Sequence, residues 1–335
     1  MSAGRILRIA LPGLADSVLR LAGRGENVRL PAAEWLIARG RSRPAGTTGW
    51  RDWALDGAQF GDDVLERFPA GPCAMAAVAG SVPAGTWARA DPVHLLTAID
   101  HLQLAAPVPL PLDMAESAAL LATLNDHLAG TGFALHAGAD GGWLCECPAG
   151  LEFAGVEPSQ AVGGNLRELL PTGRDASRVR ALVNELQMVL HEHPVNEQRA
   201  ARGLPGVNSV WLWGVGVDGC PRAAAAGSLL TDDQWLKGLW RRHGGRVRPL
   251  DEFVAALEQE SGDVRVALAQ TVDSAAEPET LRQLDEDILA PARAMLAAAQ
   301  VSRVSLHSGR LVFDVPASAR WAYWRRPRPI AEVLA

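Results

Sequence analysis

The sequence predicts an α/β protein with a doubly wound, mostly parallel sheet, interrupted by an inserted α+β cap domain. Strand-like and helix-like patterns alternate on both sides of a middle segment. That segment instead pairs a helical pattern with a hairpin pattern, and 335 residues exceed the usual size of a single domain. We assign residues 1–87 and 171–335 to the core and residues 88–170 to the insert.

The N-terminal part of the core begins with a short apolar strand. Residues 5–11 alternate as a strand does, and a turn beginning at Pro12 leads into a helix that runs to residue 22. Residues 32–39 show a second helical pattern. The run of small residues at 74–80 is interpreted as a further strand.

The insert combines one amphipathic helix with a hairpin. Asp113 precedes a helical pattern at residues 114–128 and is placed to cap it. Residues 132–137 and 142–147 then alternate like two antiparallel strands, with Asp140-Gly141 at the turn. Antiparallel pairing distinguishes this segment from the core.

After the insert, helix and strand alternate again. A helical period over residues 177–190 should stop at His193, because a residue before proline avoids the α conformation. The run at residues 210–213 is short and apolar, as in a buried parallel strand. The remaining predicted elements are a helix at 232–243, a strand near residue 247, a helix at 250–260, a strand at 264–270, a helix at 277–299 and a strand pair around Ser308-Gly309.

Composition excludes several classes of protein. A net charge of −6 gives no electrostatic footprint for nucleic acid, so no direct nucleic-acid binding is expected. The first apolar run is too short and interrupted for a signal peptide or a membrane span, which predicts a cytoplasmic protein without membrane contact. Four cysteines do not form a disulfide framework, and Cys145 and Cys147 are expected in the core.

Tryptophan is unusually abundant. Trp35, Trp50, Trp53 and Trp87 lie in loop-like sequence, which favours an exposed or partner-binding surface. The C-terminal segment 321–328 mixes aromatic side chains with arginine, and its candidate partner-binding residues are Trp321, Trp324 and Arg325. A packed tail and a stacking site for single-stranded nucleic acid are the alternatives.

The polar residues His193, Asn196, Arg199 and Asn208 flank the strand at 210–213, where open α/β sheets usually bind ligands. They either line a ligand-binding cleft or satisfy backbone groups of a long loop. The nearby residues 214–219 match GxGxxG, but no helix pattern follows, so a strand-exit turn is favoured over a nucleotide site.

Three segments carry a family resemblance. Ala-Arg-Ala-Asp-Pro-Val-His-Leu (88–95), His-Pro-Val-Asn (193–196) and Asn-Ser-Val-Trp-Leu-Trp-Gly (208–214) resemble the RpfE-type regulatory proteins of bacteria. These in turn are similar to archaeal-type cofactor-independent phosphoglycerate mutases of the alkaline phosphatase superfamily. The resemblance implies an alkaline phosphatase-like core.

The mutases use two divalent metals and a phosphorylated serine, and the sequence departs from that pattern at four places. Pro12-Gly13 stands where the first strand of the mutases ends in a metal-binding Asp-Gly. Asp273 is followed by no histidine, and His307-Ser308 replaces an Asp-His pair. Residues 32–35 stand where the serine nucleophile is sought. We therefore expect no metal, no cofactor and no confident catalytic residue.

The resulting hypothesis is a catalytically degenerate mutase-like protein, a pseudoenzyme, that regulates through a protein partner. The family's link to the RecJ exonuclease suggests a nucleic-acid-processing enzyme as that partner. One alternative is a metal-dependent phosphomutase or phosphohydrolase with displaced ligands, drawn from Asp16, His193, Asp273 and His307. A second is a sensor of phosphorylated metabolites. The sequence leaves the oligomeric state open.

Overall fold

The chain folds into two compact units. A computed structural model describes residues 5–45, 49–56, 58, 69–79, 83–97, 102–105, 108–162, 164–217, 227–260, 262–268 and 276–334. Unit 1 comprises Met1–Val64 and Arg222–Ala335, and unit 2 comprises Leu65–Pro221. Unit 2 is larger than the predicted insert at 88–170, because it also contains the helix at 70–79 before the insert and the helices and the strand that follow it.

The strands of the described residues, in chain order, are β1 (Ile6–Ala10), β2 (Arg41–Pro44), β3 (Thr86–Val93), β4 (Leu95–Thr97), β5 (Leu102–Leu104), β6 (Ala134–Ala137), β7 (Trp143–Cys147), β8 (Ser209–Val217), β9 (Ser228–Thr231), β10 (Arg246–Arg248), β11 (Val264–Ala267), β12 (Arg303–His307) and β13 (Leu311–Pro316).

The α-helices of the same residues are α1 (Leu14–Gly23), α2 (Pro31–Arg39), α3 (Trp50–Leu55), α4 (Ala70–Ala79), α5 (Met114–Leu128), α6 (Pro158–Ala161), α7 (Ala176–His191), α8 (Pro194–Ala201), α9 (Gln234–Arg242), α10 (Phe253–Gln259), α11 (Pro278–Leu284), α12 (Ala290–Ala297) and α13 (Ile330–Leu334). A π-helical turn at Asp285–Leu289 joins α11 to α12, so the long helix predicted at 277–299 is confirmed.

Unit 1 contains the predicted mostly parallel sheet. Its strand order is β10-β9-β11-β1-β12-β13-β2, and the five strands from β10 to β12 run parallel. Strands β13 and β2 extend the sheet antiparallel at one edge. Crossovers between parallel strands need helices, which explains the strand–helix alternation of the sequence.

The two faces of this sheet differ in polarity. On one face, Leu7 and Ile9 of β1 join a large apolar core with the neighbouring strands and helices α1 and α2. On the other face, Arg8 lies beside Arg265 on β11 and Ser305 on β12. Ser305 donates a hydrogen bond to Asp314 of β13 over 2.5 Å. The alternation of β1 thus places its apolar side chains in the core and its arginine in a polar row.

Unit 2 is built on an antiparallel sheet with the order β6-β7-β3-β8. The predicted hairpin is confirmed, since β6 pairs antiparallel with β7. The prediction of a parallel core strand at 210–213 is wrong, because β8 pairs antiparallel with β3. Both faces of that strand are buried, and this gave it the apolar run that parallel strands share.

A second correction concerns residues 74–80. Residues 74–79 belong to helix α4, not to a strand. Alanine is the strongest helix former, and five of the ten residues from 70 to 79 are alanine. Helix α4 begins beside β8. A Cβ at Gly214 would lie 2.5 Å from Ala70 Cβ, so this glycine permits close packing.

The tryptophans and cysteines divide between core and surface. Trp53 and Trp87 are buried, which overturns the prediction that they lie on an exposed surface. Cys145 and Cys147 lie in the core of unit 2 with their sulfur atoms 3.7 Å apart. Within the described ranges, no helix is long and apolar enough to cross a membrane.

Candidate functional site

The carboxyl ends of the parallel strands in unit 1 form the candidate site. Thr231, Ala267, Ala10 and His307 end four adjacent strands and lie side by side in register. Open α/β sheets bind ligands at this edge. The two alanines leave room above β11 and β1, and helix α3 contacts both strands. Helix α3 therefore covers the middle of the edge.

One end of this arrangement is held by a buried ion pair. The Asp233 Oδ2 atom accepts hydrogen bonds from Arg51 Nε at 3.1 Å and from Arg51 Nη2 at 2.6 Å. The other carboxylate oxygen caps helix α9 by accepting from the Leu236 backbone N–H at 2.8 Å. Both oxygens of this carboxylate therefore have partners within the protein.

Aromatic rings surround the same ion pair. The Arg51 guanidinium lies 4.5 Å from the Trp50 ring centroid and 5.9 Å from that of Trp235. Arg51 and Asp233 are 8% and 6% exposed. Burial between rings strengthens the electrostatic attraction of the pair and holds α3 against the N-terminus of α9.

The other end of α3 contacts His307. The Trp53 and His307 rings are 5.2 Å apart between centroids, tilted by 53°. The His307 Nδ1 atom accepts a hydrogen bond from the Gly309 backbone N–H at 3.1 Å. Burial, and then the positive charge of Arg43, lower the His307 pKa to about 4. This imidazole is therefore neutral at pH 7 and is held as a packing group.

The end of β1 is covered by the turn between β12 and β13. Gly309 has a φ of 97°, and a Cβ there would lie 2.1 Å from the Pro12 carbonyl oxygen. Ala15 of α1 also donates to the Ser308 carbonyl at 2.9 Å. Pro12 supplies no side-chain ligand and sits directly beneath another segment of the chain.

Two further candidates for a displaced catalytic site are Asp16 and Asp273. Asp16 is a half-exposed residue of α1 that pairs with Arg310 at 2.8 Å. Asp273 lies outside the described residues. In the part of the chain that the structure describes, no three His, Cys, Asp or Glu side chains come together as a metal site. Those residues do not fit the two-metal centre that the resemblance implies.

The polar motif of unit 2 is occupied by hydrogen bonds to its own backbone. The Asn196 amide nitrogen donates to Leu190 O at 2.7 Å and to Val207 O at 2.8 Å, and its oxygen accepts from Val207 N at 2.7 Å. Asn208 makes a reciprocal pair with the backbone of Leu95, at 2.7 and 2.9 Å. Both amides fix loops beside the sheet.

His193 and Arg199 also have protein partners. His193 caps helix α8 through Nδ1, its Nε2 lies 3.0 Å from the Thr123 hydroxyl, and burial lowers its pKa. Arg199 Nη1 donates to Glu116 Oε2 at 2.7 Å, and its Nε donates to Pro205 O at 2.8 Å. The carboxylate that Arg199 binds is thus one of the protein's own. That these four residues line a ligand-binding cleft stays a prediction.

The C-terminal candidates lie on the surface of unit 1. Trp321 and Trp324 are 58% and 78% exposed. The Arg325 guanidinium donates to the carbonyl oxygens of Arg39 and Gly40 at the end of α2, each at 3.3 Å. These residues are therefore presented to solvent from an anchored segment.

Sequence reasoning missed the ion pairs at the centre of each unit. Arg51 and Asp233 are separated by 182 positions, and no spacing along the chain joins them. In unit 2, Arg89 is buried with Asp91 and Asp140, at 2.6 and 2.9 Å. The Trp213 indole donates to the same Asp91 carboxylate at 2.6 Å. Arg-x-Asp within a strand, which places both side chains on one face, was the available signal.

Sequence comparison links the chain to phosphoglycerate mutases. A 2,3-bisphosphoglycerate-independent phosphoglycerate mutase of Methanothrix thermoacetophila is 32% identical over 117 residues, 33% of this chain and 30% of the relative. One from Methanosarcina barkeri is 25% identical over 217 residues, 61% of this chain and 53% of the relative. The match thus spans about half of that relative's length and less of the first. No family model matches the chain.

Two solved structures align with most of the chain. A cofactor-independent phosphoglycerate mutase from Thermoplasma acidophilum aligns over 93% of this chain and 89% of its own, with 17% identity and a TM-score of 0.42. A Pyrococcus horikoshii protein aligns over 93% and 87%, with 15% identity and a TM-score of 0.49. The chain is therefore a distant relative, by sequence, of phosphoglycerate mutases, and its mostly parallel α/β core is that of unit 1.

Proposed function

We propose that this chain is a mutase-like protein without two-metal phosphoryl transfer, which acts as a regulatory binding protein. The observation that carries the proposal is the Arg51–Asp233 ion pair. A carboxylate at the carboxyl end of a parallel strand is where a metal ligand is needed, and here both its oxygens are taken by a guanidinium and a helix N-terminus. A metal ion bound to this carboxylate would have to displace the buried Arg51 guanidinium from it, at the cost of breaking a buried ion pair.

Two further features support the loss of catalysis. Pro12 supplies no ligand at the end of β1 and lies under the turn at Gly309. His307 is neutral, packs on Trp53 and accepts a hydrogen bond through Nδ1.

The regulatory part of the proposal rests on the resemblance of segments 88–95 and 193–196 to RpfE-type proteins. A protein partner is proposed as the target of that regulation. A nucleic-acid-processing enzyme such as RecJ is the first partner to test.

The test measures the metal content of the purified chain and its turnover of 3-phosphoglycerate and of a general phosphatase substrate, with Mn²⁺ and Mg²⁺ added. We expect no stoichiometric metal and no turnover. Stoichiometric metal, with turnover that Asp273→Ala abolishes and the exposed Asp126→Ala retains, would establish the metal-dependent enzyme instead. A rise in Tm with 3-phosphoglycerate that Arg199→Ala removes would identify a metabolite sensor.

A further inference from the structure

A cluster of exposed aromatic and arginine side chains lies at the C-terminal end of unit 1. Trp321, Tyr323 and Trp324 are 58%, 70% and 78% exposed, which is exceptional for such large side chains. The arginines around them in the sequence are Arg320, Arg325, Arg326 and Arg328. We call these seven residues the aromatic–arginine surface.

The C-terminal segment is positively charged, although the chain is acidic overall. Residues 315–331 contain four arginines and no aspartate or glutamate, against a net charge of −6 for the chain. A surface of this charge attracts a ligand rich in carboxylates or phosphates.

The surface is held in place before any ligand binds. Arg325 is fixed to the last carbonyl groups of α2, Pro327 and Pro329 restrict the backbone, and α13 follows with Ile330 buried. A pre-organised surface loses less conformational entropy on binding than a mobile tail does. Tryptophan, tyrosine and arginine are also the residues that most often dominate the energy of protein interfaces.

The arrangement of the rings favours a protein over a single-stranded nucleic acid. The Trp321 and Tyr323 rings meet edge to face, with planes at 75° and centroids 6.3 Å apart. Successive bases stack best on rings with parallel faces. In addition, the Arg320 guanidinium lies 5.0 Å over the Trp321 ring and occupies one of its faces.

We propose that the aromatic–arginine surface binds an acidic segment of a partner protein that carries apolar side chains between its carboxylates. Carboxylates would pair with the guanidinium groups, and the apolar side chains would cover Trp321, Tyr323 and Trp324. This inference names the partner chemistry of the proposed binding function and rests on it. The surface takes no part in the strand edge at Asp233, so the two proposals can fail separately.

The test selects a random twelve-residue peptide display library on the full chain, with counter-selection on the Trp321→Ala/Trp324→Ala double variant. We expect enriched peptides to contain Asp or Glu together with apolar residues. A synthetic peptide of the enriched sequence should bind the wild type in fluorescence anisotropy. Its Kd should rise by tenfold or more in Trp324→Ala and in Arg326→Glu/Arg328→Glu, and also with added salt.

Met188→Ala is the matched control, since Met188 is 79% exposed in unit 2 and its loss should leave the Kd unchanged. Failure to enrich acidic peptides that depend on this surface would overturn the proposal. Tighter, surface-dependent binding of a twelve-nucleotide oligothymidine would replace it with a nucleic-acid site. A wild-type dimer that the double variant converts to a monomer would replace the partner with a second copy of the chain.

Peptide binding combined with metal-dependent turnover would leave this surface intact and refute the proposed function. If neither peptide binding nor metal-dependent turnover is found, the proposed loss of catalysis stands and the proposal for this surface is refuted. Because the variants concern exposed side chains, their far-UV circular dichroism and Tm should match the wild type and thereby exclude a folding defect.

Discussion

Removal of the Arg51 guanidinium tests whether the ion pair holds helix α3 over the strand edge. Arg51→Met keeps a long apolar side chain between Trp50 and Trp235 and removes the charge. The Asp233 carboxylate then stays buried with the Leu236 N–H as the remaining donor of the bonds described above. We expect the free energy of unfolding to fall by about 3–5 kcal/mol, the usual cost of breaking a buried pair by removing one partner.

A second variant distinguishes the contribution of the ion pair from that of the cap of helix α9. Asp233→Asn keeps a good N-cap for α9 but leaves the Arg51 charge without its carboxylate, so it should also cost several kcal/mol, on the order of 3. In the Arg51→Met/Asp233→Asn double variant neither charge remains. We expect that double variant to lose only about 1–2 kcal/mol, well below the sum of the single losses.

Urea unfolding at pH 7, followed by far-UV circular dichroism and tryptophan fluorescence, measures the four free energies of this cycle. The control removes an exposed pair, Arg282–Glu279, whose closest atoms are 2.9 Å apart, and it should change stability by less than about 0.5 kcal/mol. Single losses that simply add in the double variant would refute the coupling. The strand edge would then be covered by aromatic packing alone.

Three further predictions concern other buried groups. Burial lowers the His307 pKa from its ordinary 6.5 to about 4, so the unfolded chain binds the proton more tightly than the folded chain does. The stability that the neutral imidazole contributes is therefore fully present above pH 6.5, and the free energy of unfolding should fall by about 3 kcal/mol as the pH drops to 4. His307→Asn should lose that part of the acid sensitivity in urea unfolding from pH 7 to 4, and an unchanged slope would contradict the assignment. Gly142→Ala places a Cβ 2.1 Å from Arg89 Nη2 and should lower the free energy of unfolding by roughly 3 kcal/mol. The control, Gly141→Ala, meets no atom within 4 Å but has a φ of 79°, and it should lower that free energy by only about 1 kcal/mol. Equal losses would show that backbone strain, not the ion network, causes the effect. Asn196→Ala removes three hydrogen bonds and should destabilise by about 2–4 kcal/mol in the same assay, and a loss below about 0.5 kcal/mol would return this residue to the ligand-binding hypothesis.

The sequence predicted the elements of this fold better than their pairing. Helix α7 ends at His191, close to the stop expected before Pro194, and the hairpin of β6 and β7 forms where the alternation placed it. These features depend on neighbours within a few residues. Pairing of β8 with β3 joins positions more than a hundred residues apart, and a strand buried on both faces carries no mark of its direction.

The candidate site was predicted in part for the same reason. His307 and Pro12 were found because each stands at the end of a strand that the sequence pattern reveals. The role of Arg51 depends on Asp233, on two tryptophans and on the alanines that let α3 approach the sheet. No sequence spacing predicts these contacts, because they form between segments that are brought together only in the folded structure.

The polar motif of unit 2 shows why a family motif is weaker evidence for activity than for fold. The side-chain amides of Asn196 and Asn208 form hydrogen bonds with backbone atoms of neighbouring segments, and the Arg199 guanidinium pairs with the Glu116 carboxylate. Each of these bonds satisfies a buried group whose loss would cost stability whether or not any ligand binds. The proposed loss of chemistry is therefore better tested at the strand ends, where Pro12 packs under the turn at Gly309 and Asp233 pairs with Arg51.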